Sequence, residues 1–236
     1  MRVKCLATGS SGNCHALINK SGDILLLDCG IPIKDIKIGI DFQVSKIVGC
    51  LITHAHNDHS LALKDLQKMG IPIVAPYLEE PKINQLKGGF VVRYFGLTDK
   101  DGNFVHSNSD GSPCPNYGFY ITSDNEPLRM LYITDCQYVK YRFAEIDNML
   151  LGINYSDDTF ADDFNEMKKL HVFNGHLELK TAAEFIKVTD CKHTLNNIIV
   201  CHMSESNSNE QTFYEAIRKV TQCNIRFAKR GGEYSL

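Results

Sequence analysis

Positions 54–59 read His-Ala-His-Asn-Asp-His, which puts three imidazoles and one carboxylate within six residues. The cluster follows the apolar run 46–52, which predicts a buried strand that ends just before it. Side chains this close in sequence cannot all reach one tetrahedral ion, but two histidines can bind one ion while Asp58 and His59 bind a neighbouring one. Lone histidines are usually ordinary surface or core residues, yet burying this group without metal would be costly. The pattern predicts a hydrolytic centre with ions roughly 3.5–4 Å apart.

Three further residues with metal-binding side chains follow predicted strands: His106, Asp135 and His202. Each alone could be an ordinary polar residue at a strand end. A carboxylate can bridge two cations with its two oxygens, so Asp135 and a hydroxide are the predicted bridge between the ions. The two predicted ligand sets each contain three side chains: His54, His56 and His106 for one ion, and Asp58, His59 and His202 for the other.

The chain has 236 residues and a formal net charge of −3. This length fits one large domain, residues 1–236, better than two. No apolar run approaches the ~20 residues that a membrane span needs, and the first residues reach Gly9 too soon for a signal peptide. The slightly acidic charge excludes a global basic field that would hold a polyanion non-specifically.

The nine cysteines include no Cys-x-x-Cys pair, which argues against a zinc ribbon or a thioredoxin motif. Several lie inside apolar runs, where a free cysteine behaves as a small apolar residue. This usage predicts a reducing, cytoplasmic compartment. Cys29, Cys114 and Cys136 lie next to candidate site residues, and a reactive role for them stays open.

Short β-branched runs alternate with longer amphipathic segments along the chain. The runs predict strands over 3–8, 16–19, 24–28, 47–52, 73–75, 91–94, 103–106, 118–122, 129–134, 149–153, 197–201 and 224–227. The amphipathic segments predict helices over 33–40, 60–68, 78–85, 139–144, 161–170, 179–189 and 209–220. Strands with interleaved helices predict two packed sheets covered by helices. The polar, glycine- and proline-containing stretch 107–116 predicts a loop that borders the site.

With this ligand pattern the chain resembles the metallo-β-lactamase fold superfamily, whose members place His-x-His-x-Asp-His and later His, Asp and His residues on two facing sheets. The resemblance runs nearly end to end. It implies an α/β (α+β) chain folded as a four-layer αββα sandwich. It also implies that Asp28, at the end of the third predicted strand, lies beside the metal histidines and orients their rings. The alternative for Asp28 is a plain turn residue before Gly30.

The opening Leu6-Ala7-Thr8-Gly9-Ser10-Ser11-Gly12-Asn13 resembles the YycJ/WalJ-like branch, which has exonuclease members and is similar to the ribonuclease Z and cyclic-phosphodiesterase branches. The segments 133–135, 175–177 and 202–204 match the same branch. Two glycines that flank serines let backbone N–H groups approach an anionic ligand closely, so Ser10, Ser11 and Asn13 are predicted substrate contacts. A tight strand-to-strand turn would use the same residues.

His176 precedes the helix predicted over 179–189, and the resemblance implies that it binds phosphate or acts as a general acid. A departing alkoxide needs a proton, and histidine titrates near neutrality. A histidine in a helix-capping loop is the alternative. Asn154 is a further predicted substrate contact, although the branch carries an acidic residue near this position and the difference puts nucleic-acid specificity in doubt. His15, His171 and His193 have no such context and are interpreted as ordinary.

These observations predict a phosphodiester hydrolase with two divalent ions, zinc or manganese, in which metal-bound hydroxide attacks in line. The predicted catalytic residues are Asp58, Asp135 and His176. The leading interpretation is a nuclease that acts on DNA or RNA ends, and the first alternative is a small-molecule phosphodiesterase that hydrolyses cyclic nucleotides. A thioester hydrolase or lactamase fits less well, and a catalytically idle metal- or partner-binding protein is the remaining alternative. No membrane partner is expected, and a homodimer is compatible with the sequence.

Overall fold

The computed structural model describes residues 1–80, 84–108, 110–157, 175–204 and 207–236. The strands in chain order are β1 (Arg2–Ala7), β2 (Cys14–Ile18), β3 (Ile24–Leu27), β4 (Ile47–Leu51), β5 (Ile73–Val74), β6 (Phe90–Gly96), β7 (Tyr117–Ser123), β8 (Arg129–Ile133), β9 (Asn148–Gly152), β10 (Asn197–Cys201), β11 (Asn224–Phe227) and β12 (Glu233–Ser235). The helices are α1 (Ile33–Gly39), α2 (Asn57–Ser60), α3 (Leu63–Lys68), α4 (Leu179–Thr189) and α5 (Glu210–Arg218), with 3₁₀ turns at Val44–Lys46 and Lys87–Gly89.

The strands form two six-stranded sheets, in the orders β12-β1-β2-β3-β4-β5 and β11-β10-β9-β8-β7-β6. Successive side chains of β8 point to opposite faces of its sheet, so they show which residues lie between the sheets and which face the helices. Met130 and Tyr132 point between the sheets, whereas Leu131 and Ile133 belong to the cluster that contains α4 and α5. A third cluster joins the outer face of the first sheet to Ile36 of α1 and Leu66 of α3. The chain is therefore a four-layer αββα sandwich, as predicted.

Parallel pairing brings many strand ends to one edge of the sandwich. Strand β3 pairs in parallel with β4, and β8, β9 and β10 pair in parallel with one another. Because the carboxyl ends of parallel strands meet at the same edge, the residues that follow these strands gather there. Each predicted ligand or orienting residue that follows β3, β4, β8, β9 or β10 is thus brought to a common place by the fold.

Several predicted elements are wrong. Segment 139–144 is neither helix nor strand, because Tyr141 and Phe143 pack on Phe95 with ring centroids 5.2 and 4.9 Å away, and this packing overrides a weak helical preference. Segment 103–106 is not a strand, since it follows a tight turn and pairs only through one bridge. The helix predicted over 60–68 is divided between α2 and α3.

Two other differences concern the segment 78–85 and the short strand β12. The described residues of the helix predicted over 78–85 are not helical, and Gln85 instead forms a bridge with Val91. The helix predicted over 161–170 lies outside the described residues. Strand β12 was missed because three residues give no readable periodicity. Within the ranges that the structure describes, no helix has the length and apolar character to cross a membrane.

Candidate metal centre

Three residues that follow strands lie in the left-handed region of backbone space: Asp28 after β3 (φ 58°), Asp135 after β8 (φ 50°) and His202 after β10 (φ 52°). A residue with a side chain seldom adopts this conformation, which costs of order 1–3 kcal/mol. Hydrogen bonds hold the turned backbone. Asn116 donates its amide to the carbonyl oxygen of Asp135 at 2.5 Å, and the His202 N–H donates to Thr8 Oγ1 at 2.8 Å. Each strand therefore ends in a sharp turn that aims its side chain into the same space.

The loop after β3 interlocks with helix α2. The Cys29 N–H donates to the His59 carbonyl oxygen and the Asn13 N–H donates to the Asp58 carbonyl oxygen, at 2.8 and 2.7 Å. A Cβ on Gly30 would lie 1.7 Å from that same Asp58 oxygen, so only glycine allows the two backbones to approach this closely. The position of the metal-binding helix is thus fixed by backbone contacts as well as by its own strand.

Seven predicted ligands and His176 converge at this edge. Four overlapping groups of three side chains have ligand atoms within 4.8 Å of one another. They are His54, His56 and His106; His54, His59 and Asp135; Asp58, His59 and His202; and Asp135, His176 and His202. The first and third groups are the two ligand sets that the sequence predicts, and the second and fourth share Asp135.

Asp135 contacts histidines of both ligand sets. Its Oδ2 is 2.8 Å from His59 Nε2 and 3.8 Å from His54 Nε2. Its Oδ1 is 2.9 Å from His202 Nδ1 and 3.8 Å from His176 Nε2. Asp135 thus reaches His54 of the first set and both His59 and His202 of the second, a position from which a carboxylate could bridge two cations.

The side chains present fit divalent ions. His54 and His202 are buried, with 0% and 6% exposure, and among the described residues no hydrogen-bond partner is found for the Nε2 atom of either ring. Buried nitrogen atoms without a partner are unfavourable, and a metal ion would satisfy both. Imidazole and carboxylate donors suit zinc and manganese alike. The cluster can therefore hold divalent metal, as the sequence predicts.

The electrostatics of the cluster follow from burial and from its two buried carboxylates. Burial lowers the pKa of His54 well below its usual range and lowers that of His106 to about 4. Burial also opposes charge on His202, but Asp135 beside it outweighs this and raises the pKa of His202 to about 9. Burial disfavours charge on Asp135 too, yet His202 and His59 hold its pKa well below the usual range. The carboxylate is thus kept ionised, as metal binding requires.

Asp28 orients the two buried ligands His54 and His59. Its Oδ2 accepts a hydrogen bond from His59 Nδ1 at 2.6 Å and another from the Tyr132 hydroxyl at 2.5 Å. Its Oδ1 accepts from the Thr53 backbone N–H at 2.8 Å, and the Thr53 hydroxyl lies 2.9 Å from His54 Nδ1. Because Nδ1 of each imidazole is held in this way, Nε2 is the nitrogen that faces the metal site, and the orientation of the ring is fixed. The geometry agrees with the predicted place of Asp28.

The predicted substrate contacts in the first loop occupy different places. Ser10 and Ser11 are exposed, and Ser10 lines a cleft at the metal centre. Asn13 is only 1% exposed, exchanges hydrogen bonds of 3.0 Å with the backbone of Gly9, and places its amide nitrogen 3.1 Å from His59 Nε2. Asn13 therefore closes the turn and supports a ligand, whereas Ser10 faces the open side.

Asn154 and His176 lie on the side of the cluster that carries His202. The Asn154 amide nitrogen is 2.6 Å from His202 Nδ1 and 3.2 Å from Asp135 Oδ1, and its Oδ1 accepts from the Leu177 N–H at 3.0 Å. The His176 ring stacks on the His202 ring with centroids 6.2 Å apart. Asn154 thus joins the two ligands to the loop that carries His176.

The cleft beside these residues has a volume of about 160 Å³. Its described walls are formed by Ser10, Asn154, Tyr155, His176, His202, Met203 and Ser204. No lysine or arginine is found among the described residues that line it. The cleft therefore opens onto His202, a ligand of one predicted ion, and offers hydroxyl, amide and imidazole groups beside the Met203 thioether to a substrate.

Four residues of the centre were not predicted as site residues: Thr8, Thr53, Asn116 and Tyr132. Thr53 could have been identified because it is adjacent to the histidine cluster. Tyr132 could have been identified because it is a phenol among the aliphatic residues of a strand end. Asn116 and Thr8 are distant in sequence, and nothing local signals their contacts. His15, interpreted as ordinary, is fully buried with its ring 6.3 Å from that of Tyr132, and burial lowers its pKa to about 3.

Comparisons with known proteins give one partial family match and many structural matches. The profile of the family described as "Anti-Pycsar protein Apyc1" matches residues 6–70, a range that includes both the glycine–serine loop and the histidine cluster. No curated protein sequence matches the chain.

Three solved structures resemble the whole chain. The metallo-β-lactamase fold protein YhfI from Bacillus subtilis superposes with a TM-score of 0.71 at 15% identity, covering 99% of this chain and 98% of that one. Zinc-bound PqqB from Methylobacterium extorquens has a TM-score of 0.64 at 15% identity, with 100% of both chains covered. The short form of human tRNase Z has a TM-score of 0.62 at 16% identity, covering 100% of this chain and 99% of that one. The match to the YycJ/WalJ-like branch stays a prediction, and the two six-stranded sheets with helices on both faces show that the chain adopts the metallo-β-lactamase fold.

Proposed function

We propose that the chain is a hydrolase of phosphodiester bonds that works with two divalent ions, zinc or manganese. The observation that carries the proposal is the position of Asp135, whose Oδ2 lies 3.8 Å from His54 of one ligand set and 2.8 Å from His59 of the other. Ions bound there would lower the pKa of a water molecule and neutralise charge on the phosphate oxygens. The similarity to zinc-bound PqqB and to tRNase Z over the whole chain supports a metal-dependent hydrolase.

The burial and contacts of each residue in the centre indicate its role. His54 and His59 are buried and held by Asp28 and its hydrogen-bond partners, so they bind and orient metal. Asp58 exposes 28% of its side chain, with its Oδ2 3.4 Å from His59 Nε2, and binds metal from the open side. His176 exposes 20% of its side chain at the cleft and donates a proton to the departing alkoxide oxygen.

The leading substrate class is nucleic acid, with the chain acting as an exonuclease-like nuclease. The resemblance of the first loop to a branch with exonuclease members and the overall similarity to a tRNase Z support this candidate. A phosphodiester in a polymer must enter the cleft from its open side, where Ser10, His176 and Ser204 lie.

A small cyclic phosphodiester is the second candidate, and the walls of the cleft favour it. They present hydroxyl, amide and ring groups, and no lysine or arginine is found among the described lining residues. A long polyanion is normally held by several basic contacts, whereas a mononucleotide needs none beyond the metal centre. The net charge of −3 points the same way.

The reaction class is tested by hydrolysis of bis-p-nitrophenyl phosphate with protein loaded with zinc or manganese. Turnover that disappears with a chelator and returns with the ion is the expected result. Absence of turnover with both ions would favour a catalytically idle metal-binding protein. A panel of 5′-phosphorylated DNA, RNA and cyclic mono- and oligonucleotides, with products weighed by mass spectrometry, then separates the two substrate classes.

A further inference from the structure

The segment 137–143, which we call the basic–aromatic strip, reads Gln-Tyr-Val-Lys-Tyr-Arg-Phe and begins two residues after Asp135. It alternates cations with aromatic rings, and neither a helix nor a strand covers it. Nothing in the metal chemistry described above uses these side chains. Three residues of extended chain span at most about 11 Å, so the Tyr138 Cα lies within that distance of the Asp135 Cα. The strip therefore starts beside the metal centre.

Buried side chains anchor the strip to the sandwich. Val139 is 5% exposed and belongs to the cluster that packs against α4 and α5. The Phe143 ring lies 4.9 Å from the Phe95 ring and 6.4 Å from the Phe185 ring, edge to face with the latter. These anchors place the segment on the body of the protein, so the remaining side chains have a defined surface position.

The other side chains of the strip point to solvent. Tyr138 is 53% exposed and Tyr141 is 36% exposed, although large aromatic side chains are usually buried for most of their area. Lys140 and Arg142 are exposed as well, and Lys140 Nζ lies 5.5 Å from the centre of the Tyr141 ring. The strip thus presents flat rings and cations side by side.

The cations of the strip form no ion pair within the part of the chain that the structure describes. Among the described residues no ion pair joins Lys140 or Arg142 to a carboxylate, and Lys140 Nζ lies 3.5 Å from the backbone oxygen of Asp99. The Asp99 carboxylate accepts hydrogen bonds from backbone N–H groups of its own turn. Glu145 pairs instead with Arg129, at 3.2 Å. With respect to the described residues, the positive charge of the strip is therefore available to an external anion.

We propose that the basic–aromatic strip binds single-stranded nucleic acid and leads the strand into the metal centre. Bases stack on exposed aromatic rings whatever their sequence, and lysine or arginine neutralises the phosphates between them. Lys140 and Arg142 of the strip attract phosphate groups, whereas the described walls of the cleft contain no lysine or arginine. A duplex hides the faces of its bases, so single strands are preferred. This inference rests on the proposed phosphodiester hydrolysis and names the polymer on which it acts.

The test measures binding and hydrolysis separately on metal-loaded protein. Binding is followed by fluorescence anisotropy with labelled single-stranded oligothymidylate, oligouridylate and a duplex, all with phosphorothioate linkages that resist cleavage. The strip variants are Tyr138→Ala and the double variant Lys140→Gln/Arg142→Gln. Helix α5 offers a matched control, because Arg218 lies over the ring of Tyr214, which is 38% exposed, with 5.4 Å to its centre. The control variants are Tyr214→Ala and Arg218→Gln.

Tyr138→Ala should weaken single-strand binding about 5- to 150-fold, the loss of one stacked base. The double variant should reduce the slope of log affinity against log salt by about 1.4, since each phosphate contact on a single strand contributes about 0.7. Control variants should bind like the parent, and all variants should hydrolyse bis-p-nitrophenyl phosphate at the parent rate. Equal losses of affinity for oligothymidylate and oligouridylate indicate that stacking and charge alone govern binding. A loss of affinity for only one of them identifies DNA or RNA as the polymer that the strip binds.

The inference is overturned if the parent binds no single strand, or if strip and control variants lose the same affinity. If either occurs while bis-p-nitrophenyl phosphate is still hydrolysed, the proposed reaction survives and only the polymer is wrong. If strip variants lose binding as expected but no metal-loaded form hydrolyses any phosphodiester, the strip is supported and the proposed reaction fails.

Discussion

On the inner side of the metal centre His54, His59 and Asp28 are fully buried, whereas on the outer side Asp58 and His176 expose 28% and 20% of their side chains. The inner residues are fixed by charged hydrogen bonds as short as 2.6 Å. Of the two outer residues, His176 borders a cleft. A rigid inner side sets ring orientation and metal affinity, and an accessible outer side is where substrate and solvent arrive. Metal content and turnover should therefore respond to different substitutions.

The largest effect is expected for Asp135→Ala, because Asp135 touches both sides of the centre. Its loss removes the oxygens 2.8 and 2.9 Å from His59 and His202 and leaves a buried cluster of histidines without a compensating charge. Hydrolysis should be abolished and the metal content measured by mass spectrometry should fall. Asp101→Ala removes an exposed carboxylate from a surface turn and is the control. Normal metal content and normal rate would remove Asp135 from the centre.

The next effect is expected for His176→Ala, which tests the outer side alone. His176 lies 3.8 Å from Asp135 Oδ1 and at the cleft, so a proton donor is lost while the inner ligands remain in place. Turnover should fall ~10²–10⁴-fold with both ions retained. His193→Ala, an exposed histidine on the loop after α4, should change neither quantity. Loss of metal from the His176 variant would instead make it a ligand and weaken the distinction between the two sides.

A smaller effect is expected for Asp28→Asn, which tests the inner side alone. Asparagine keeps the shape but removes the negative charge that His59 Nδ1 contacts at 2.6 Å. Metal affinity should fall ~10–100-fold, as measured by titration with a competing chelator. Asp23→Asn, at the opposite end of the same strand, removes a carboxylate that accepts a hydrogen bond from the Asn19 amide at 3.1 Å and is the matched control. Equal metal affinity in both variants would contradict an orienting role.

The strands and the ligand types were predictable because both leave local patterns. Runs of apolar residues marked β3, β4, β8 and β10, and ligand-type residues directly after them marked the edge where they meet. Parallel pairing then explains why His54 and His202, 148 positions apart by number, approach the same carboxylate. Local pattern and parallel pairing together account for most of the centre.

The supporting residues were not predictable from local pattern. Asn116, just before β7, stabilises the left-handed backbone of Asp135, and Thr8 does the same for His202 across 194 positions. Strain of this kind depends on tertiary contacts that compensate for it, and such contacts carry no periodicity. The helix predicted over 139–144 was wrong for a related reason: Tyr141 and Phe143 pack on Phe95 of a neighbouring strand, and this contact outweighs helix propensity.

The smallest effect is expected for Tyr132→Phe, which separates support of Asp28 from Asp28 itself. The variant removes only the hydroxyl that donates to Asp28 Oδ2 at 2.5 Å, while the His59 contact to the same oxygen stays. The free energy of unfolding of the metal-free protein should fall by about 1–3 kcal/mol, since a buried carboxylate loses one donor. Metal affinity should fall by less than in Asp28→Asn. Urea unfolding and chelator titration measure the two quantities, and Tyr120→Phe on the neighbouring strand β7 is the control. Unchanged stability would mean that the inner side does not depend on this hydrogen bond, and its rigidity would then rest on Thr53 and His59 alone.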